Sequence, residues 1–241
     1  MKRIIAVLGL ALLLAPCAHA QPPTVIKPDN IVEVFRVVEN GTKAKGEFES
    51  EAQYKARVDG TLRGLQTKEL YFLLGSSWGK QISTKYDIDS GKIEVVIPRL
   101  SRSICDQYSK HDHFVISEKT LQRSSYVATN TFGAKTTVLK TNSEEYNLVI
   151  VNDNDMVYII KVDATPQVAQ NIKRGFALVI ACNVAEKRGE FFCEYTEQIT
   201  PTLRNPVDFT ILHRALFVNV KEMLLVDPKK HAVLLRIPVG P

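Results

Sequence analysis

The sequence predicts an α+β fold, mainly antiparallel β. Three observations lead there. Short apolar runs of four to eight residues recur along the chain, and turn residues separate them. Only two segments carry helical spacing with a cap. Strands and helices do not alternate as they would in a parallel βαβ array, so meandering hairpins are the expected connection.

The first helix is expected at about 50–63. Ser50 caps it, and Gln53 completes a capping box. Tyr54, Val58, Leu62 and Leu65 follow at helical intervals, and Glu51 suits the positive end of the macrodipole. Phe48 is expected to fold over the first turn, and Gly60 and Gly64 to end the helix near Arg63. The second helix is expected at 166–174, with Thr165 as cap, Pro166 at its first position and Gly175 as its stop.

The rest reads as strand and turn. Tyr71–Leu74 is a short apolar run. Lys85–Ile97 reads as a hairpin about Asp89-Ser90-Gly91. Phe114–Ile116 is a short strand, and Ser125–Asn130 and Lys135–Lys140 flank Phe132-Gly133 as a further hairpin. Tyr146–Val151 and Met156–Val162 flank the polar turn Asn152-Asp153-Asn154-Asp155. Ala177–Val184 and Glu190–Gln198 flank Glu186-Lys187-Arg188-Gly189. Leu216–Val220 leads into Met223–Val226, and Asp227-Pro228-Lys229-Lys230 returns the chain through Ala232–Ile237. Asn40-Gly41 reads as a turn.

Residues 1–20 read as an export signal. Lys2 and Arg3 precede twelve apolar residues, Ile4–Ala15, and Ala18-His19-Ala20 is a small-x-small cleavage site. Twelve falls short of the ~20 residues of a membrane-spanning helix. Cleavage after Ala20 leaves 221 of the 241 residues as a single β-rich domain, 21–241, with a weak possible subdivision at 101–110. The expected location is a bacterial periplasm or the exterior. The alternative is a lipid anchor on Cys17, against which Pro16 stands, since a lipobox takes a small residue there.

Loss of Lys2 and Arg3 lowers the formal charge from +5 to about +3. The charges are scattered, with no concentrated basic face, so nucleic acid is not an expected partner. Three cysteines remain after cleavage. A two-residue loop at Lys187-Arg188 would set Cys182 opposite Cys193, whereas a type I turn with Gly189 in a bulge would shift the register by one residue; a Cys182–Cys193 disulfide is expected, leaving Cys105 free.

Three segments in order resemble uncharacterised exported bacterial proteins. They are Gly46-Glu47-Phe48-Glu49-Ser50 with Tyr54 and Arg57, then Tyr86-Asp87-Ile88-Asp89, then Tyr126–Ala134 with its Asn-x-Phe-Gly turn. The resemblance implies an exported β-rich domain and carries over no catalytic residue.

His111 and His113 point the same way on an extended segment, as two zinc or copper ligands would, with Cys105 or Asp106 able to add a third. The chain contains no Gly-x-Ser-x-Gly, His-Glu-x-x-His, Walker or Gly-x-Gly-x-x-Gly pattern. Gly75-Ser76-Ser77-Trp78-Gly79 reads as a strand-end turn. Glu144-Glu145 and Asp153 with Asp155 read as turn carboxylates. His213 and His231 read as isolated surface or hydrogen-bonded histidines. Two functional expectations result. One is a non-enzymatic protein that needs no cofactor and binds an envelope protein or small ligand through loops or a sheet edge. The other is a metal-binding protein or metal-dependent enzyme built on His111 and His113.

Overall fold

The computed structural model describes residues 24–75, 81–97, 101–102, 111–129, 131–151 and 158–239. It is α+β and mainly β, with sheets that are mostly antiparallel.

The chain enters through helix α1, Ile31–Thr42, where a turn was expected at Asn40-Gly41. Asn30 caps it by accepting from the Val32 amide at 3.0 Å. Ile31, Val34, Phe35 and Val38 repeat at helical spacing and are all buried. This stripe outweighs the modest helix penalty of its β-branched residues. Gly41 is needed for close approach to the next helix, because a Cβ there would lie 2.4 Å from Thr61 Cγ2.

Helix α2, Glu51–Thr67, starts with the expected capping box. It runs past Arg63, through Gly60 and Gly64. Leu62 and Leu65 are buried, so packing of the last turns outweighs the glycine cost. Phe48 does not fold over the first turn: it is 96% exposed. Helix α3, Pro166–Arg174, has its Thr165 cap and Gly175 stop as expected.

The large sheet is organised by one long strand. The strands are β1 (Leu70–Leu73), β2 (Ser83–Asp87), β3 (Lys92–Ile97), β4 (Ser101–Arg102), β5 (His111–Thr129) and β6 (Lys135–Ile150). They continue as β7 (Tyr158–Asp163), β8 (Ala177–Val184), β9 (Phe192–Ile199), β10 (Val207–Val226) and β11 (Val233–Pro238). β10 pairs with β9 and then β8 along one edge. Along the other it pairs with β6, in parallel, and then β11. A register shift between Val220 and Glu222 swaps which residues face the core: Leu216, Val218 and Val220 before it, Met223 and Leu225 after it. The runs expected as separate strands in 114–130 and in 135–151 join into β5 and β6, a hairpin of 19 and 16 residues.

Two expected hairpins do not form. β6 lies in the large sheet, while β7 pairs with β3 in a separate three-stranded sheet, β2-β3-β7. β8 and β9 do not pair with each other, because each finds β10. The β2–β3 hairpin forms as expected, with Gly91 at φ +65° closing its turn. One apolar core joins Phe35 and Val38 of α1, Ile93 and Val95 of β3, and Leu148, Ile180 and Leu216 of the large sheet.

Candidate functional site

The chemically richest cluster lies where β6, β10 and β9 run side by side. Register places Glu145 and Tyr195 directly beside His213 on either side. Side chains opposite one another on neighbouring strands share a face, so the three converge. His213 is 0% exposed. Its Nδ1 lies 2.8 Å from Glu145 Oε1, and its Nε2 lies 3.1 Å from Glu197 Oε2. The Tyr195 ring stacks on the imidazole at 4.4 Å, with planes 7° apart. Asn147 Nδ2 donates to Glu145 Oε1 at 3.1 Å.

The proton inventory of this cluster is constrained. A neutral imidazole has one N–H, and an ionised carboxylate only accepts. Two imidazole–carboxylate hydrogen bonds therefore need a second proton, on the ring or on a carboxyl. The cluster ties three strands together through one buried side chain. It is poorly placed for acid–base catalysis, because a general base must reach its substrate, and His213 has no exposed surface.

The next residue, Arg214, serves the opposite face. Its guanidinium reaches Glu39 of α1 at 2.8 Å and Glu194 of β9 at 3.1 Å, and lies 5.8 Å from the Tyr146 ring centroid. Successive residues of β10 thus anchor both faces of the sheet.

Sequence reading missed this cluster. Glu145 was read as a turn carboxylate, yet it lies inside β6 because the flanking apolar runs belong to one strand. His213 is the hydrogen-bonded histidine that was one of its two readings, but its partners on β6 and β9 come from remote segments. Ser143, Glu145 and Asn147 alternate, but Thr141, Asn142 and Glu144 beside them are polar too, so local pattern gave no signal.

The Gly-Glu-Phe-Glu-Ser segment builds a helix clamp. Arg57 forks onto Glu49 through Nε at 2.8 Å and Nη2 at 2.9 Å. It also donates to the carbonyls of Asn40, Gly41 and Lys43 at 2.9, 2.9 and 3.1 Å, capping the end of α1 from α2. The hydrogen bond from Arg57 holds the Glu49 carboxyl at about 2, below its ordinary 4.5, with the Gly46 amide adding to the effect. A depressed carboxyl contributes stability above its unfolded value and loses it as the pH falls towards the folded one. The clamp is therefore expected to weaken between pH 4.5 and about 2. Carboxyl-detected NMR should find the Glu49 midpoint near 2 in the wild type and closer to 4.5 in Arg57→Gln. Equal midpoints in the two proteins would contradict the clamp.

The cysteines depart from the expected bridge. Cys182 is a free thiol, buried in the main core, and burial raises its pKa. Cys193 packs in the cluster on the other sheet face and is disulfide-bonded. Cys182 pairs with Val220 and Cys193 with Ala215 on the same edge of β10. Five residues of strand separate them by about 17 Å, whereas a disulfide needs Cα atoms within roughly 7 Å. A Cys182–Cys193 bridge is thus ruled out. Cys17 and Cys105, the other cysteines, lie outside the described residues. Alkylation of unfolded, unreduced protein should label Cys182 and spare Cys193. A cross-linked peptide holding both would reverse that assignment.

His111 and His113 lie on β5, and the His113 side chain is buried. The His111 side chain, Asp106, the serines of 76–77, Trp78, Asp153 and Asp155 lie outside the described residues. Among the described residues no three histidine, cysteine or carboxylate side chains gather as a metal site. No helix among them is long and apolar enough to cross a membrane.

Comparison with protein-family models, with curated proteins and with solved structures finds no match to this chain.

Proposed function

We propose that the protein is exported and acts without catalysis, by binding an envelope protein or small ligand through the β5–β6 hairpin. The supporting observation is the form of this hairpin. Its pairing continues from Tyr126↔Val138 to Thr129↔Lys135, beyond the first β10 pairing at Leu139. The distal part is thus two-stranded in its ladder, with Val138 buried and the 201–203 segment alongside it. This end of the hairpin carries exposed apolar side chains: Tyr126 and Val127 on β5, Leu139 on β6 where the β10 pairing begins, and Phe132 at the turn, the last 93% exposed. Val127 pairs with Thr137, and Leu139 lies two residues further on the same face, so the two form a diagonal apolar pair. Exposed apolar residues grouped at one end of a hairpin suit contact better than solubility.

A photo-crosslinking residue at position 132 or 127 should give a discrete adduct in the host envelope. The same residue at exposed position 37, on α1, should not. Phe132→Asp with Val127→Asp should fold as the wild type does and should compete poorly with it for that adduct. Adducts independent of position, or full competition by the double variant, would remove this end of the hairpin as the contact surface.

A further inference from the structure

We propose that the distal edge of β5, residues 123–129, is a self-association site, where a second copy of this chain pairs antiparallel about a two-fold axis at Tyr126. β5 pairs with β6 along one edge. On its other edge β4 meets only His111 and Asp112, and no further ladder partner is present among the described residues. The first part of that open edge is blunted. Register shifts fall between Val115 and Ser117 and between Thr120 and Gln122, and Lys119 lies between them. Bulges and lysines are common protections of an edge strand. Residues 123–129 carry neither. Their register with β6 is unbroken, they contain no proline, and Arg123 is their only charge. Tyr126, Val127 and Thr129 favour strand, and all three are exposed. A flat, exposed edge of this kind is a template for pairing.

Hydrogen-bond parity then selects the occupant. The Leu139 amide donates to the Pro206 carbonyl, on the β10 side of β6. Backbone groups alternate between the two edges of a strand. Val138 and Lys140 therefore face β5 and bond their partners, Tyr126 and Ser124. Arg123, Ser125, Val127 and Thr129 stand opposite Thr141, Leu139, Thr137 and Lys135, so their N–H and C=O groups point to the open edge. An axis at Tyr126 sets Ser125 against the partner's Val127 and Arg123 against the partner's Thr129. Every outward group then meets an outward group, and no like charges lie directly opposite. An axis elsewhere sets part of the stretch against the bulge or the turn. The edge is its own complement, and a two-fold pair closes it to further strands. The side chains allow the approach. The Tyr126 hydroxyl donates to Asp208 Oδ2 of β10 at 3.3 Å, so its ring leans across β6 and away from the open edge. Arg123 and the partner's Lys135 would stand two strand spacings apart, about 10 Å, a separation that physiological salt screens.

Sedimentation of the purified protein, with no envelope component present, tests this edge apart from the contact proposed above. A monomer–dimer equilibrium is expected as the concentration rises into the submillimolar range. The ladder should bury less than about 1,200 Å² in total, the low end of interface size, so the dimer should be reversible. Ser125→Pro and Val127→Pro each remove an outward amide that β6 does not use, and proline is tolerated at such an edge. Both should keep a denaturation midpoint close to that of the wild type and weaken association about tenfold or more. Tyr126→Cys should form a disulfide-linked dimer under mild oxidation, since the axis sets that position about 4.5 Å from its own copy, Cα to Cα. Ser124→Cys, roughly 14 Å from its copy, should not. Neither should the wild type, whose free Cys182 is buried. The proposal is overturned by protein that stays monomeric throughout, by proline variants that associate as the wild type does, or by cross-linking at 124 as ready as at 126.

Discussion

Phe35→Ala is expected to cost about 3–5 kcal/mol of folding stability, the range for losing a fully buried phenylalanine. Phe35 is 1% exposed and is the residue by which α1 grips the large sheet. Its ring meets Tyr146 of β6 edge to face at 5.5 Å and Phe192 of β9 at 6.0 Å. Such pairs contribute beyond the area they bury. Truncation would leave a cavity between two strands that reach α1 from opposite edges of β10, so relaxation from one side cannot fill it. Chemical denaturation measures the loss as a lower midpoint at unchanged slope. Phe35→Leu should recover more than half, and Val37→Ala, on the exposed side of the same helix, should change stability by less than about 0.5 kcal/mol. A Phe35→Ala midpoint equal to that of Val37→Ala would refute this account of the core.

The second large effect is expected at His213. His213→Ala should cost about 3 kcal/mol or more, as removal of one partner from a buried ionic cluster does. The loss arises chiefly at Glu145, whose side chain is only 13% exposed and accepts from His213 and from the Asn147 amide. Glu197→Ala should cost under about 1 kcal/mol, since that carboxylate is 41% exposed and water can replace it. Joint replacement of His213 and Glu145 by leucine should recover part of the His213→Ala loss, because it removes the buried carboxyl along with its partner. Equal costs for His213→Ala and Glu197→Ala would show that burial does not set the energetics of this cluster.

These two residues show what could and could not be read from the chain. Phe35 belongs to a stripe, Ile31, Val34, Phe35 and Val38, that a helical period reveals once Asn30 is taken as a cap. The β-branched residues and Asn40-Gly41 obscured it. Glycine 41 marks a helix–helix contact, and its reason lies in Thr61, twenty residues on. His213 gives no local sign of its partners, since Glu145 and Glu197 approach from strands on either side of β10.

Local rules sufficed wherever the determining groups are close in sequence. The Ser50 capping box, the Thr165 cap with Pro166, the Gly91 turn and the β5–β6 turn all form within a few residues. The α+β class followed from the same signals, because hairpin turns and capped helices are short-range features. Strand partnership was a different matter. β8 and β9 had the composition of a hairpin, and β6 and β7 flanked a turn-like segment, yet each of these strands pairs with strands from elsewhere in the chain instead. A strand's exposed backbone groups bind any neighbour with matching register, so the choice depends on which faces the whole core must bury. β10 satisfies four strands at once, and its register shift near Lys221 turns its apolar residues towards the core on both halves. That arrangement placed Cys182 and Cys193 on opposite faces and enclosed His213 between two carboxylates. Composition and spacing determined the elements of this protein, and long-range pairing along β10 decided which of its side chains meet.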